Sequence, residues 1–416
     1  MINRQLAPEI KAIESIKTGF PCKNGNAYHI VSNEAVFKLD LIFESGGFGQ
    51  YSNKFHALFA SDLILSGTSK KNANVISEEL DLLGAYVFMN CDYYSHSISI
   101  YGQTEFLGLI LDLVVEAILE CEYNEEELSI YKSKKISELN INLAKTSFLA
   151  NRAINALIVG ENHPFASPIN ESIINGISRE DLLAYKNSTL ANPTFIFTGP
   201  DTINISDYLN NIEFKTNLNE EIAVEHSINT SEEKGIVVKK ENTNQNAIRL
   251  GKMMPSRTHE DYFKISLTNL ILGGYFGSRL MKNIREEKGL TYGIHSSITP
   301  FRTYSLFKIS SECNAQLTNE VKNEIENEIK SLQTELVEND ELQTAKNYLI
   351  GSLLRNFDGP FNIADRFKSN LDLYGKEGFY EEYFKAIHQT SSEDILACAN
   401  NYLDFNSLKY CISGEY

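Results

Sequence analysis

The chain has 416 residues, 42% of them hydrophobic and 22% charged, which is ordinary globular composition at a length that suits two domains of about 200 residues better than one. A formal charge of −17 and a pI near 5.0 argue against nucleic acid or an anionic membrane surface as the main partner, though not against a local basic pocket. Six scattered cysteines without C-x-x-C spacing point to free or buried thiols in a reducing compartment rather than a disulfide framework or zinc knuckle.

In chain order, the opening "MINRQLAPEIKAIESI" has no apolar core region or cleavage site, so nothing marks it for export and the expected location is the cytoplasm. "AVFKLDLIFE" alternates as a strand, with Val36, Lys38, Asp40 and Ile42 opposed to Phe37, Leu39, Leu41 and Phe43. Helices are expected at His56–Ser66 and Val75–Leu83, then a strand at Tyr94–Tyr101. The apolar run "FLGLILDLVVEAILE" is interrupted by Asp112 and Glu116; it is too short and too charged to span a bilayer and reads as a buried helix. The polar run "TNLNEEIAVEHSINTSEEKG" has neither helical nor strand periodicity and reads as a linker. Beyond it come expected helices at Tyr262–Leu272 and Arg279–Lys288, strands at Thr291–Ile298 and Ser305–Ser311, and long helices at Asn319–Leu336 and Asp340–Arg355.

The chain also repeats itself. "LILSG" at Leu63–Gly67 returns as "LILGG" at Leu270–Gly274, Gly84 aligns with Gly289, and Ser178-x-x-Asp181 returns as Ser391-x-x-Asp394. Three matches in one order at nearly one offset indicate duplication rather than a short solenoid repeat. Each Ser-x-x-Asp is a helix start, its serine oxygen free to cap a backbone amide and its acid placed at the positive end of the helix dipole. The expected fold is α+β: two duplicated domains of the same fold, each a mostly antiparallel sheet packed with helices, over residues 1–215 and 235–416 with a linker at 216–234.

Familiar chemical signatures are absent. "LGGYFGSRL" lacks the Gly-Lys-Ser/Thr of a phosphate loop, there is no G-x-S-x-G elbow, and no two of the eight histidines lie three to five residues apart, so no local zinc motif exists. One stretch stands out, "RLMKNIREEKGLTYGI", in which Arg285 precedes a glycine turn and Tyr292 follows it. On their own these residues read either as an arginine balancing Glu286 and Glu287 beside a packing aromatic, or as two hydrogen-bond donors aimed at one target.

The segments "GGYFGSRLMKNIREEKGLTYGIHSSI" and "LQTAKNYLIGSLLRNFDGPFNIADRFKSNLDLYG" resemble the second-domain signature of the insulinase/pitrilysin peptidases, the inverzincins. "SGGFGQYSNKFHALFASDLILSGTSKKNANVISEELDLLGAYVF" resembles that family's active-site block. In that register the family's H-x-x-E-H falls on Leu58, Phe59, Ala60, Ser61 and Asp62, and its third ligand falls near Glu138. Both metal-binding histidines and the water-activating glutamate are therefore missing, and Glu138 reads as a leftover or an ordinary exposed acid.

The resemblance implies that Arg285 and Tyr292 match a pair with which the second domain hydrogen-bonds the substrate backbone beside the zinc. It implies a subunit forming half of a clamshell, with no cofactor of its own, whose zinc-bearing paralogous partner completes a metallopeptidase acting on peptides. An inactive scaffold or assembly subunit, and a stand-alone peptide-binding homodimer, are the alternatives. Nucleic acid and membrane are not expected partners.

Overall fold

The computed structural model describes residues 16–22, 25–51, 53–214, 226–373 and 378–416. The N-terminal stretch read for export signals and the linker residues 216–225 lie outside them, and 226–234 run as coil into the first strand of the second half.

The first half runs β1 (Ile16–Cys22), β2 (Gly25–Val31), β3 (Val36–Phe43), α1 (Lys54–Asp62), α2 (Ala73–Leu82), β4 (Tyr86–Cys91) and β5 (His96–Gln103). It continues through α3 (Leu107–Leu119), α4 (Glu125–Leu143), α5 (Thr146–Val159), α6 (Glu171–Gly176), α7 (Arg179–Thr189), β6 (Thr194–Gly199) and α8 (Ile205–Leu209). The second half runs β7 (Gly235–Lys239), β8 (Gln245–Met254), α9 (Tyr262–Asn269), β9 (Thr291–Pro300) and β10 (Ser305–Asn314). It closes with α10 (Thr318–Thr334), α11 (Asn339–Asn356), α12 (Pro360–Leu373), α13 (Phe379–Gln389), α14 (Ser392–Tyr402) and β11 (Lys409–Gly414).

The strand orders β1-β2-β6-β3-β5-β4 and β7-β11-β8-β10-β9 share one five-strand pattern, to which the first sheet adds β1. In both sheets one pair is parallel, β2 with β6 and β7 with β11, and the other pairs are antiparallel. The duplication extends to details. Gly84 and Gly289 both end a helix in the left-handed region, at φ +61 and +63, where a Cβ would be strained. Ser178 and Ser391 each close a complete capping box with Asp181 and Asp394, as the paired Ser-x-x-Asp motifs predict.

Several expected elements shift. The helix expected at His56–Ser66 ends at Asp62, and the strand expected from Tyr94 begins at His96. The second-half helices contain π-helical stretches at Leu270–Gly274 and Met281–Glu287. The apolar run around Leu107–Leu119 is α3, with seven buried residues; among the described residues no helix is long and apolar enough to cross a membrane.

The two halves exchange helices. α5 of the first half packs on the second sheet, where Ala150, Ile154, Leu157 and Ile158 meet Ala247, Leu306 and Cys411. α12 of the second half packs on the first sheet, where Ala364 and Phe367 meet Ile30, Ile42 and Ile196. Because α12 covers it, the alternating face of β3 is not solvated: Lys38 and Asp40 are fully buried. The Lys38 ammonium lies 3.1 Å from Asp40 Oδ2 and 2.5 Å from Asp365 Oδ1, and Lys368 lies 3.4 Å from Asp40 Oδ1. Two cations and two carboxylates thus offset one another's charge around the buried Lys38 and Asp40, where either alone would be costly. Burial alone would lower the Lys38 pKa, but Asp40 and Asp365 outweigh it and hold the pKa above its ordinary value.

Candidate functional site

The segment Leu58–Asp62, which the resemblance aligns with a metal motif, lies on α1. Leu58 carries no donor atom, and the Ser61 hydroxyl is buried without a hydrogen-bond partner among the described residues. Asp62 Oδ2 accepts from the Tyr131 hydroxyl and lies 3.5 Å from Lys135 Nζ. The same ammonium is 3.4 Å from Glu138 Oε2. Burial first, then the bond to Asp62, push the Tyr131 phenol far above its ordinary pKa, so it stays protonated and donates. Glu138 is therefore an ion-paired acid on α4. This donor set does not fit zinc: one ligand position is hydrocarbon, another is a carboxylate already tied to a phenol and an ammonium, and no histidine is offered. Among the described residues, no three His, Cys, Asp or Glu side chains are grouped to hold a metal ion.

Arg285 and Tyr292 lie on either side of the turn that joins the π-helical stretch Met281–Glu287 to β9. Lys288 N–H donates to the Asn283 carbonyl and Leu290 N–H to the Ile284 carbonyl, an ending one residue wider than an ordinary α-helical glycine cap. β9 is the edge strand of its sheet, and its register slips between Glu312 and Cys313, which face Gly293 and Thr291. Tyr292 is therefore the extra, bulged residue, and a bulge re-aims a side chain. Here it leaves Tyr292 88% exposed. The Thr291 hydroxyl fixes the bulge, donating to the Glu312 carbonyl at 2.6 Å and accepting from Gly293 N–H at 3.2 Å and the Ser311 hydroxyl at 3.0 Å.

The Arg285 guanidinium lies 5.1 Å from the centroid of the Phe276 ring, which is itself 63% exposed. Among the described residues it pairs with neither Glu286 nor Glu287, and Tyr292 is no packing aromatic. A cavity of about 270 Å³ opens beside Phe276, lined also by Met281, Gly293 and His295. Guanidinium and phenol are both donors able to stabilise developing negative charge on a carbonyl oxygen. The sequence reading missed Phe276, Tyr131 and Lys135; only the last pair left a signal, in the helical spacing of Tyr131, Lys135 and Glu138.

The chain is built of two like α+β halves with one shared strand order. Residues 176–349 match the family described as Peptidase M16 inactive domain. A Bacillus subtilis protein named uncharacterized zinc protease YmxG is 22% identical over 391 residues, spanning 90% of this chain and 93% of that protein. Among solved structures, a peptidase M16 inactive domain from Pseudomonas fluorescens superposes with a TM-score of 0.84 at 20% identity, covering 96% of this chain and 98% of the other. A protease from Helicobacter pylori gives a TM-score of 0.83 at 16% identity, with 95% and 98% covered. The family match thus spans α7 to most of α11, and the chain as a whole has the fold of solved M16 inactive-domain proteins.

Proposed function

We propose that this chain is the non-catalytic, substrate-binding subunit of a heterodimeric zinc metallopeptidase that acts on peptides. Arg285 and Tyr292 hydrogen-bond the substrate backbone near a zinc carried by a paralogous partner, and this chain contributes no metal. The observation that carries the reading is the presentation of two donors without protein acceptors among the described residues, one on a π-helical stretch and one on a bulge in the edge strand that follows it. Six free cysteines support a reducing, cytoplasmic setting.

In the assembled enzyme Arg285 and Tyr292 would position the scissile carbonyl and donate to its oxygen as charge develops there. Water activation belongs to the partner, because no base stands at Ser61. Removing one donor of this kind costs about 10²–10³ in kcat. Arg285→Ala and Tyr292→Phe are therefore expected to lower kcat of the heterodimer by roughly that range, with heterodimer formation and melting temperature unchanged. Full activity in both variants would leave the inactive scaffold reading in its place.

A further inference from the structure

Two carboxylates still stand at ligand positions of the lost metal motif, Asp62 at the end of α1 and Glu138 on α4. With no cation between them, two packed helices would face each other with like charges. Lys135 supplies that cation. Its ammonium is 3.5 Å from Asp62 Oδ2, 3.4 Å from Glu138 Oε2 and 5.0 Å from the centroid of the Tyr131 ring. Tyr131 in turn donates its hydroxyl to Asp62 and sets its ring edge-on to Phe59, 4.9 Å between centroids. Tyr131, Lys135 and Glu138 share one face of α4 by their spacing of four and three residues, while Phe59 and Asp62 come from α1. The ammonium therefore has three partners on two elements, unlike a surface lysine with a single acid.

We propose that Lys135 is a tethered replacement for a metal cation: it occupies the cation position between Asp62 and Glu138, ties α4 to α1, and excludes a divalent ion from the pair. One positive charge against two carboxylates leaves the cluster net negative. Without Lys135 the two acids, Asp62 still accepting from Tyr131, would become an oxygen-only pair, the kind of donor set that hard divalent ions take. This inference goes beyond the functional reading and needs no partner subunit for its test.

The experiment uses the full chain, with MnCl₂ as the probe and calorimetric titration and thermal melting as readouts. Lys135→Met keeps the aliphatic stem and removes the charge. It is expected to bind Mn²⁺ roughly tenfold more tightly than the parent, since a repelling charge has gone. Its melting temperature is expected to fall by about 1–2 °C and to recover as Mn²⁺ is added. Lys135→Arg should behave as the parent, and the double variant Lys135→Met with Glu138→Gln should lose the Mn²⁺ response. Parent-like Mn²⁺ affinity in Lys135→Met would overturn the proposal, as would a response that survives in the double variant.

Discussion

Asp372, on the last turn of α12, shows how the junction between the halves responds to protons. Burial first, and the Asp92 carboxylate second, push its pKa up to about 6 against the opposing pull of Lys368, Arg302 and Ser95. Ser95 Oγ donates to its carboxylate at 3.4 Å, and Arg302 Nε donates to its backbone carbonyl at 2.6 Å. A raised carboxyl pKa means that the folded chain holds a proton which the unfolded chain has released. Between about pH 4 and pH 6 the folded state binds more protons, so stability falls as pH rises through that window. Asp372→Asn is therefore expected to be more stable than the parent at pH 7.5, by about 1–2 kcal/mol. That advantage should fade to nothing by pH 4. Urea unfolding at the two pH values checks it, and an advantage independent of pH would contradict the assignment. None of this was legible in the sequence, because Asp372 is buried by contacts with residues about 70 and 280 positions away. Tyr292 carried a fainter version of the same problem. Its identity and spacing from Arg285 were visible, but its exposure comes from a bulge set by hydrogen bonds to Glu312 and Ser311 across the sheet.

At the scale of the element, the most legible features were those written within four residues. The two Ser-x-x-Asp starts became two complete capping boxes, because every partner lies in the first turn. At α14, Asp394 N–H donates to Ser391 Oγ at 3.2 Å and Ser391 N–H donates to Asp394 Oδ2 at 2.9 Å. Lys264 adds an ion pair to the same acid at 2.9 Å. Ser391→Ala is expected to cost about 1 kcal/mol in urea unfolding, with helix content nearly unchanged, since α14 is also held by buried Ile395, Cys398 and Ala399. A loss below a few tenths of a kcal/mol would show that the Lys264 pair holds the helix end without the cap. The π-helical winding of Met281–Glu287 escaped the sequence, because seven residues of apolar spacing do not separate a period of 3.6 from a slightly wider one. The strand β3 was found from its alternation, but its polar face was not recognisable as buried. Lys38 and Asp40 alternate like solvated residues until α12 brings Asp365 and Lys368 over them.

Over the whole molecule, duplication is the feature that both sequence and structure carry most clearly. Three short matches at nearly one offset correspond to two sheets of the same strand order and to two helix-ending glycines with nearly one φ. The exchange of α5 and α12 between the halves could not be read, since packing across more than a hundred residues leaves no local period. Each half thereby covers one face of the other's sheet, with apolar contacts on both sides and a buried ion network on one. In the first half Lys135 pairs with Asp62 and Glu138; in the second, Arg285 lies on a π-helical stretch and Tyr292 stands exposed on the edge strand β9.

The most direct measurement is therefore to count zinc and assay peptide cleavage in three samples: this chain alone, its zinc-motif paralogue alone, and the two together. Zinc in the paralogue only, with cleavage that depends on mixing, is the predicted result. Stoichiometric zinc and peptidase activity in this chain alone would contradict it.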